Sequence, residues 1–245
     1  MSVGFEPTPT STSESALAEV APGAGQPLLA ALGRVVRGLS ALFWGLPLAL
    51  VACVQTARGD LLRPLGVLPP VVTTLLLLYG LSLLGHFQKQ ERPWRNALEL
   101  ARLLAVVNVG FSPFLFWWNK VPAERFFESV VQLMTLTGLL FLLALNQVLR
   151  RLTAMLPDET LRVETRVFTK LNRGLLSCTM LVMLGYFIAE RLQPAPPWLR
   201  YGLGLLDRVG PWLPLLLVLV PVAMTMALLW KTKEVILASI FGSEL

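Results

Sequence analysis

Three amides inside apolar stretches are the side chains of this sequence best suited to recognition or binding. Asn108 lies in the segment VVNVGFSP, where Gly110 and Pro113 weaken helical structure, and Asn146 and Gln147 are adjacent in a later apolar stretch. An amide surrounded by apolar groups must find a hydrogen-bond partner. Asn108, Asn146 and Gln147 therefore form the candidate intramembrane polar site. Either they join helices through hydrogen bonds, which is the commoner use, or they bind an uncharged solute.

Residues that usually perform catalysis or bind metals are few and scattered. The three aspartates, Asp60, Asp158 and Asp207, are too far apart in the sequence to predict a Mg²⁺ site for a pyrophosphate. His86 is the single histidine, so the chain does not offer two axial haem ligands or a histidine-rich zinc site. We interpret His86 as an interfacial residue. The sequence predicts no catalytic residues, no metal site and no cofactor.

The composition indicates a membrane protein. Hydrophobic residues make up 55% of the chain and charged residues 15%, whereas soluble domains have about 25% charged residues. Apolar stretches of about 20 residues recur, as crossing a bilayer requires. We predict an all-α integral membrane protein, a bundle of about six transmembrane helices with short interfacial amphipathic helices. The predicted spans are residues 39–57, 65–86, 103–118, 130–149, 174–192 and 209–230.

The chain divides into a polar tail and one apolar region. Residues 1–26 are rich in Ser, Thr, Pro, Gly and Glu and are predicted to be a disordered N-terminal tail. Residues 27–245 are predicted to form a single polytopic transmembrane domain. Residues 27–37 either lie at the interface or lead into the first span. The third span is the weakest, because Gly110, Ser112 and Pro113 interrupt it.

The positions of the basic residues predict the orientation. One set of span ends carries 14 of the 21 Lys and Arg residues, and the opposite set carries seven. The positive-inside rule then places both termini in the cytoplasm, and we expect a bacterial inner membrane. The basic residues flank apolar stretches and form no patch with interleaved aromatics, so the expected partner is the lipid bilayer and not nucleic acid.

The longest charged stretch runs from Arg150 to Arg173 and holds nine charged residues. We predict that it is the largest cytoplasmic loop and contains a short helix over residues 158–172, lying on the membrane surface or on a partner. Leu161, Phe168 and Leu171 are predicted to share the face that docks. The candidate residues for docking headgroups or a partner are Leu161, Arg162, Arg166, Phe168, Lys170 and Leu171.

Three functions are compatible with this pattern. The first is a non-catalytic accessory or scaffold subunit of a membrane assembly, contacting another membrane or cytoplasmic protein. This function is favoured because the sequence combines few catalytic groups with an amphipathic connector. The second is a carrier or channel for an uncharged or lipid-like solute, and the third is a membrane enzyme of a type that the sequence does not reveal.

Overall fold

A computed structural model describes residues 25–59, 61–85, 92–121, 123–155, 159–191, 204 and 212–241. These residues are almost entirely helical and contain no strand. A short 3-10 helix, Arg63–Leu65, follows the first helix. The α-helices are α1 (Gly25–Arg58), α2 (Leu68–Leu84), α3 (Arg92–Phe111), α4 (Phe114–Lys120), α5 (Arg125–Ala154), α6 (Glu159–Arg191) and α7 (Trp212–Phe241).

Several of these helices have the length and composition of membrane spans. Among the described residues, five helical stretches are long and apolar enough, namely Ala30–Arg58, Arg92–Lys120, Arg125–Ala154, Thr165–Ala189 and Leu216–Ala238. Helix α2 is apolar but has only 17 residues, less than the roughly 20 that a span usually needs. The prediction of an all-helical chain with repeated apolar helices is confirmed, while the predicted span at 65–86 corresponds to a shorter helix.

A proline divides the third predicted span. Helix α3 ends at Phe111 and α4 begins at Phe114, because Pro113 has no N–H for the carbonyl of Val109. The hydroxyl of Ser112 donates to that carbonyl instead, at 2.9 Å. The stretch predicted as residues 103–118 is therefore the central part of a longer, broken helix from Arg92 to Lys120.

The charged stretch does not contain a separate short helix. Residues 159–172 form the first part of α6, which continues to Arg191 without a break. The prediction that residues 158–172 form a short helix of their own is wrong, because residues 159–191 contain no proline and one helix can propagate through Gly174. Asp158 itself lies outside the described residues. The connector is thus collinear with the fifth predicted span.

The first helix also begins before its predicted span. Residues 27–37 lead directly into the apolar part of α1, which runs from Gly25 to Arg58. Most of the predicted tail, residues 1–24, lies outside the described residues, as do His86, Asp60 and Asp207.

Helices α1 and α2 pack at very close range through glycines. A Cβ atom on Gly38 would lie 2.8 Å from the carbonyl oxygen of Gly80, and one on Gly80 would lie 2.9 Å from Cγ of Leu42. Such distances leave room only for hydrogen, so the two backbones approach closely along this seam. The glycine positions therefore fix the packing of the first two helices.

A basic side chain closes the end of α2. Arg102 Nη2 of α3 donates to the carbonyls of Leu81 at 3.2 Å and Ser82 at 3.0 Å. These carbonyls lie in the last turn of α2, where regular i to i+4 partners run out and the Gly85 N–H donates to Ser82 at 3.2 Å. A Cβ atom on Gly85 would overlap the Arg102 guanidinium, so glycine at this position lets the side chain reach the helix end.

The centre of the bundle is apolar, and so is much of its outside. Trp94, Ala101 and Ala105 of α3 belong to the same buried cluster as Leu145 and Leu149 of α5. Many large apolar side chains on every long helix remain exposed, for example on the outer faces of α1, α2 and α3. A water-soluble bundle would bury these surfaces, whereas a bundle surrounded by lipid exposes them.

Candidate functional site

The structure separates the three amides predicted to form a polar site. Asn108 lies on α3 and is 8% exposed, whereas Asn146 lies on α5 and is 2% exposed. Gln147 follows Asn146 directly but points outward and is exposed. Asn108 and Asn146 therefore take part in two different helix contacts, and Gln147 lies on the outer surface.

The amide of Asn108 connects α3 with α5. Its Nδ2 donates to the carbonyl of Leu104 at 2.9 Å, and its Oδ1 accepts from Thr137 Oγ1 at 3.0 Å. Both ends of the amide are therefore hydrogen-bonded within the chain. A helix–helix bond of this kind contributes about 0.6 to 2 kcal/mol in an apolar environment.

Asn146 belongs to a buried layer that joins three helices. We call this layer the polar triad, and it consists of Asn146 of α5, Asn172 of α6 and Thr225 of α7. Asn172 Nδ2 lies 3.1 Å from Asn146 Oδ1 and 3.0 Å from Thr225 Oγ1, and Asn146 Nδ2 lies 3.0 Å from the same hydroxyl oxygen. All three residues are at most 2% exposed. The triad fixes the register of α5, α6 and α7 in the middle of their contact.

The polar triad lies beside a proline in α7. The carbonyl of Pro221 accepts from Thr225 Oγ1 at 2.8 Å and from Asn172 Nδ2 at 3.3 Å. Pro221 has no N–H, so the carbonyl of Leu217, four residues earlier, loses its helical donor. The Thr179 hydroxyl of α6 lies 3.0 Å from the Leu217 carbonyl oxygen and 2.9 Å from that of Leu175 in its own helix, so its proton is shared between the two carbonyls. Side chains of α6 thus satisfy the backbone on both sides of the proline.

Within the described part of the chain, three buried polar atoms on α6 have no hydrogen-bond partner. They are Thr165 Oγ1, Thr169 Oγ1 and Asn172 Oδ1. Their spacing of four and three residues puts them on one face, which is directed into the bundle. The same face continues to Leu176 and Thr179, both 0% exposed. Small polar side chains therefore make up most of the buried face of α6.

The candidate docking residues lie mainly on the outside of α6. Arg166, Phe168, Lys170 and Leu171 are all exposed, whereas the side chains of Leu161 and Arg162 lie outside the described residues. Phe168 is 45% exposed and Leu171 is 63% exposed. The bundle instead buries Thr165 and Thr169, because short side chains allow closer contact with α5 and α7. The larger apolar side chains remain available for contacts outside the chain.

An apolar strip follows the outer side of α6. We call it the outer seam, and it continues from the charged part of the helix into its apolar part. Residue spacings of three and four keep its members on one side. All of them are exposed: Val163, Val167, Leu171, Gly174, Cys178 and Leu181.

Sequence reasoning did not select Asn172. This residue lies at the end of the charged stretch, where an asparagine resembles an ordinary solvent-exposed loop residue. Its spacing of seven from both Thr165 and Thr179 is the signal that could have identified it, since that spacing repeats on one helix face. Among the described parts of the chain, no three His, Cys, Asp or Glu side chains come together as a possible metal site.

Comparison with known proteins identifies no family for this chain. The chain matches no protein family model, no curated protein and no solved structure.

Proposed function

We propose that this protein is a polytopic membrane protein that acts as a non-catalytic accessory or scaffold subunit of a membrane assembly. In this proposal six helical segments cross a bacterial inner membrane, α2 being the short one, and both termini are cytoplasmic. The 14 Lys and Arg residues that flank one set of predicted span ends in the sequence support this orientation. The long apolar helices with exposed outer faces support the membrane location.

The observation that carries the scaffold function is the outer seam on α6. Val163 is 61% exposed and Val167 is 62% exposed, although both lie in the charged part of the helix. The stretch with the composition of a membrane span begins at Thr165, so in this proposal Val163 lies outside the bilayer and Val167 lies at its edge. Apolar side chains exposed there favour a protein partner over a membrane surface.

The charges beside the outer seam define the chemistry of the partner. Arg166, Lys170 and Arg173 are exposed next to Val167 and Leu171. A partner helix with an apolar face and acidic flanks would cover the seam and neutralise these side chains. A second copy of the same helix in parallel orientation would bring two basic groups to the same end. The proposed partner is therefore a different protein with an apolar, acidic helix.

Site-specific crosslinking tests this function. A photoreactive amino acid at Val167 should form one discrete adduct in native membranes, and mass spectrometry should locate the crosslinked peptide in an apolar segment containing Asp or Glu. The matched control is Leu100 of α3, which is 48% exposed near the same end of the bundle. Leu100 should form no such adduct, since it lies away from the seam.

Charge reversal sharpens the test. Arg166→Glu combined with Lys170→Glu should abolish the Val167 adduct, because acidic flanks on both helices repel each other. A Val167 adduct no stronger than the Leu100 adduct would contradict the scaffold function. An adduct to a second copy of this chain would contradict the proposed partner chemistry.

A carrier of a lipid-like solute is the second candidate, and a different observation favours it. A groove of about 410 Å³ opens between α5 and α6, at the end opposite the charged part of α6. The amides first considered for solute binding support a carrier less, because Asn108 and Asn146 are already hydrogen-bonded between helices. Movement of a fluorescent lipid in proteoliposomes, above that of protein-free vesicles, would favour the carrier.

A further inference from the structure

The groove between α5 and α6 has an apolar wall and a polar rim. Its wall consists of Leu133, Leu136, Leu184, Phe187 and Ile188. At the rim, Arg191 Nη2 donates to Ser129 Oγ at 2.7 Å, and Gln132 lies beside them. An apolar groove with a cation at one end matches the two parts of an anionic lipid, because the groove can hold an acyl chain and the cation can hold the headgroup.

The rim lies at a bundle end that is rich in aromatic side chains. The ring of Phe114 lies 6.2 Å from that of Phe126 and 6.4 Å from that of Phe127, at the start of α5. Lys120 lies 4.8 Å from the Phe116 ring centroid at the end of α4. Aromatic and basic residues concentrate at the level of lipid headgroups. Arg191, one helical turn from this cluster through Ser129, is therefore at headgroup depth in the proposed orientation.

The groove extends from the rim toward the middle of the bundle. Ser129 and Leu136 are seven residues apart on α5, which corresponds to about 10 Å along the helix. Leu184 and Arg191 have the same separation on α6. The apolar wall therefore runs parallel to the helices, in the direction of an acyl chain in a bilayer.

We infer that this groove binds one anionic phospholipid, with its phosphate on Arg191 and Ser129 and one acyl chain along Leu133, Leu136 and Leu184. The guanidinium provides paired N–H donors for phosphate oxygens. The Ser129 hydroxyl donates to the Arg125 carbonyl at 2.9 Å in this structure, and rotation about its Cβ–Oγ bond turns that proton to the phosphate as a third donor. The inference rests on the proposed membrane-spanning architecture and does not depend on the outer seam. A negative result for the lipid site would therefore leave the scaffold function untouched, and a negative result for the scaffold function would leave the lipid site untouched.

Lipid titration followed by native mass spectrometry tests the site. Purified protein in mild detergent is titrated with phosphatidylglycerol and with phosphatidylcholine of the same acyl chains. Phosphatidylglycerol should bind about tenfold more tightly to the wild type, since the bond to a charged group is worth about that factor. Arg191→Gln should remove this preference. The matched control Arg125→Gln, which removes an exposed cation at the start of α5, should retain it.

The alternatives give different results. Equal affinity of the wild type for the two lipids would overturn the inference. So would an equal loss of the phosphatidylglycerol preference in Arg191→Gln and in Arg125→Gln. Displacement of phosphatidylglycerol by inorganic phosphate at the same concentration would assign the rim to a free anion and would also overturn it. If Arg191→Gln does not fold, Arg191→Lys serves in its place, because lysine keeps the charge but lacks the paired donors. Arg191→Lys should reduce the preference for phosphatidylglycerol over phosphatidylcholine to about threefold. An unchanged preference would contradict the proposed contact.

Discussion

The hydroxyl of Thr179 on α6 lies 3.0 Å from the carbonyl oxygen of Leu217 on α7 and shares its proton between that carbonyl and the Leu175 carbonyl of its own helix. Leu217 is the residue whose helical donor Pro221 removes. The proline is thus accommodated by a neighbouring helix. At the break between α3 and α4 the donor comes from the same segment, because Ser112 donates to the Val109 carbonyl that Pro113 leaves without a helical donor. In both places a side-chain hydroxyl lies where the backbone N–H is missing, which is one of the ways in which an apolar helix tolerates a proline.

Thr179→Val should lower the free energy of unfolding by about 0.6 to 2 kcal/mol, because it leaves the Leu217 carbonyl unpaired without changing side-chain volume. Thermal unfolding in detergent measures the loss. Thr135→Val is the control, since Thr135 donates only to its own helix, to Val131 at 2.9 Å. In a Pro221→Ala background the cost of Thr179→Val should shrink, as the restored N–H serves Leu217. A cost that stays unchanged in that background would contradict the role of Thr179.

Substitution of the three amide residues should change the free energy of unfolding by different amounts. Asn172→Leu should cost about 1 to 3 kcal/mol, because it removes hydrogen bonds to two other helices. Asn108→Leu should cost about 0.6 to 2 kcal/mol, corresponding to its one bond to Thr137. Gln147→Leu should change stability by less than about 0.5 kcal/mol, since Gln147 is exposed. Equal costs for Gln147 and Asn172 would be incompatible with the polar triad. If Asn108→Leu leaves the melting temperature unchanged but abolishes solute binding, the carrier function gains support.

The contact between α1 and α2 should depend on two glycines. Gly38→Ala and Gly80→Ala should each destabilise the bundle by about 1 to 3 kcal/mol, because the new methyl group overlaps the opposite helix. Gly110→Ala serves as the control, as no atom lies within 4 Å of a Cβ at that position. That substitution should be neutral or stabilise the helix by up to about 1 kcal/mol. Unfolding curves that do not distinguish Gly80 from Gly110 would contradict the close packing of α1 on α2.

The sequence predicted the helical fold class and most apolar helices, because hydropathy depends on local composition alone. The course of α6 was not predictable in this way. A charged stretch between apolar ones is typical of a loop. Residues 159–191 contain no proline, so a helix can continue through them, and the burial of Thr165 and Thr169 in the bundle adds tertiary contacts that favour the helix. The polar triad was predictable only in part. Asn146 stands out in the sequence because its neighbours are apolar. Asn172 has charged neighbours in the sequence, and only the packing of the helices buries it.

The proposed orientation predicts the accessibility of the chain ends. With Cys53 and Cys178 replaced, single cysteines introduced at Thr8, Ala123 and Ser243 can be labelled with a membrane-impermeant reagent. In intact cells the cysteine at position 123 should react and those at positions 8 and 243 should not, because the basic end of the bundle remains in the cytoplasm. External labelling at position 8 or 243, with position 123 silent, would reverse the orientation.

The mass of the complex that the protein forms tests the scaffold function most directly. Protein expressed at its native level is extracted in mild detergent, and the mass of the intact particle is compared with that of the variant Val163→Ser/Val167→Ser. We expect the wild type to be larger than one 27.0 kDa chain with its detergent, through a stoichiometric partner. The variant should lose that partner while its melting temperature stays unchanged, since Val163 and Val167 lie outside the core. A wild-type particle containing only this chain, or a variant that keeps the partner in full, would contradict the account.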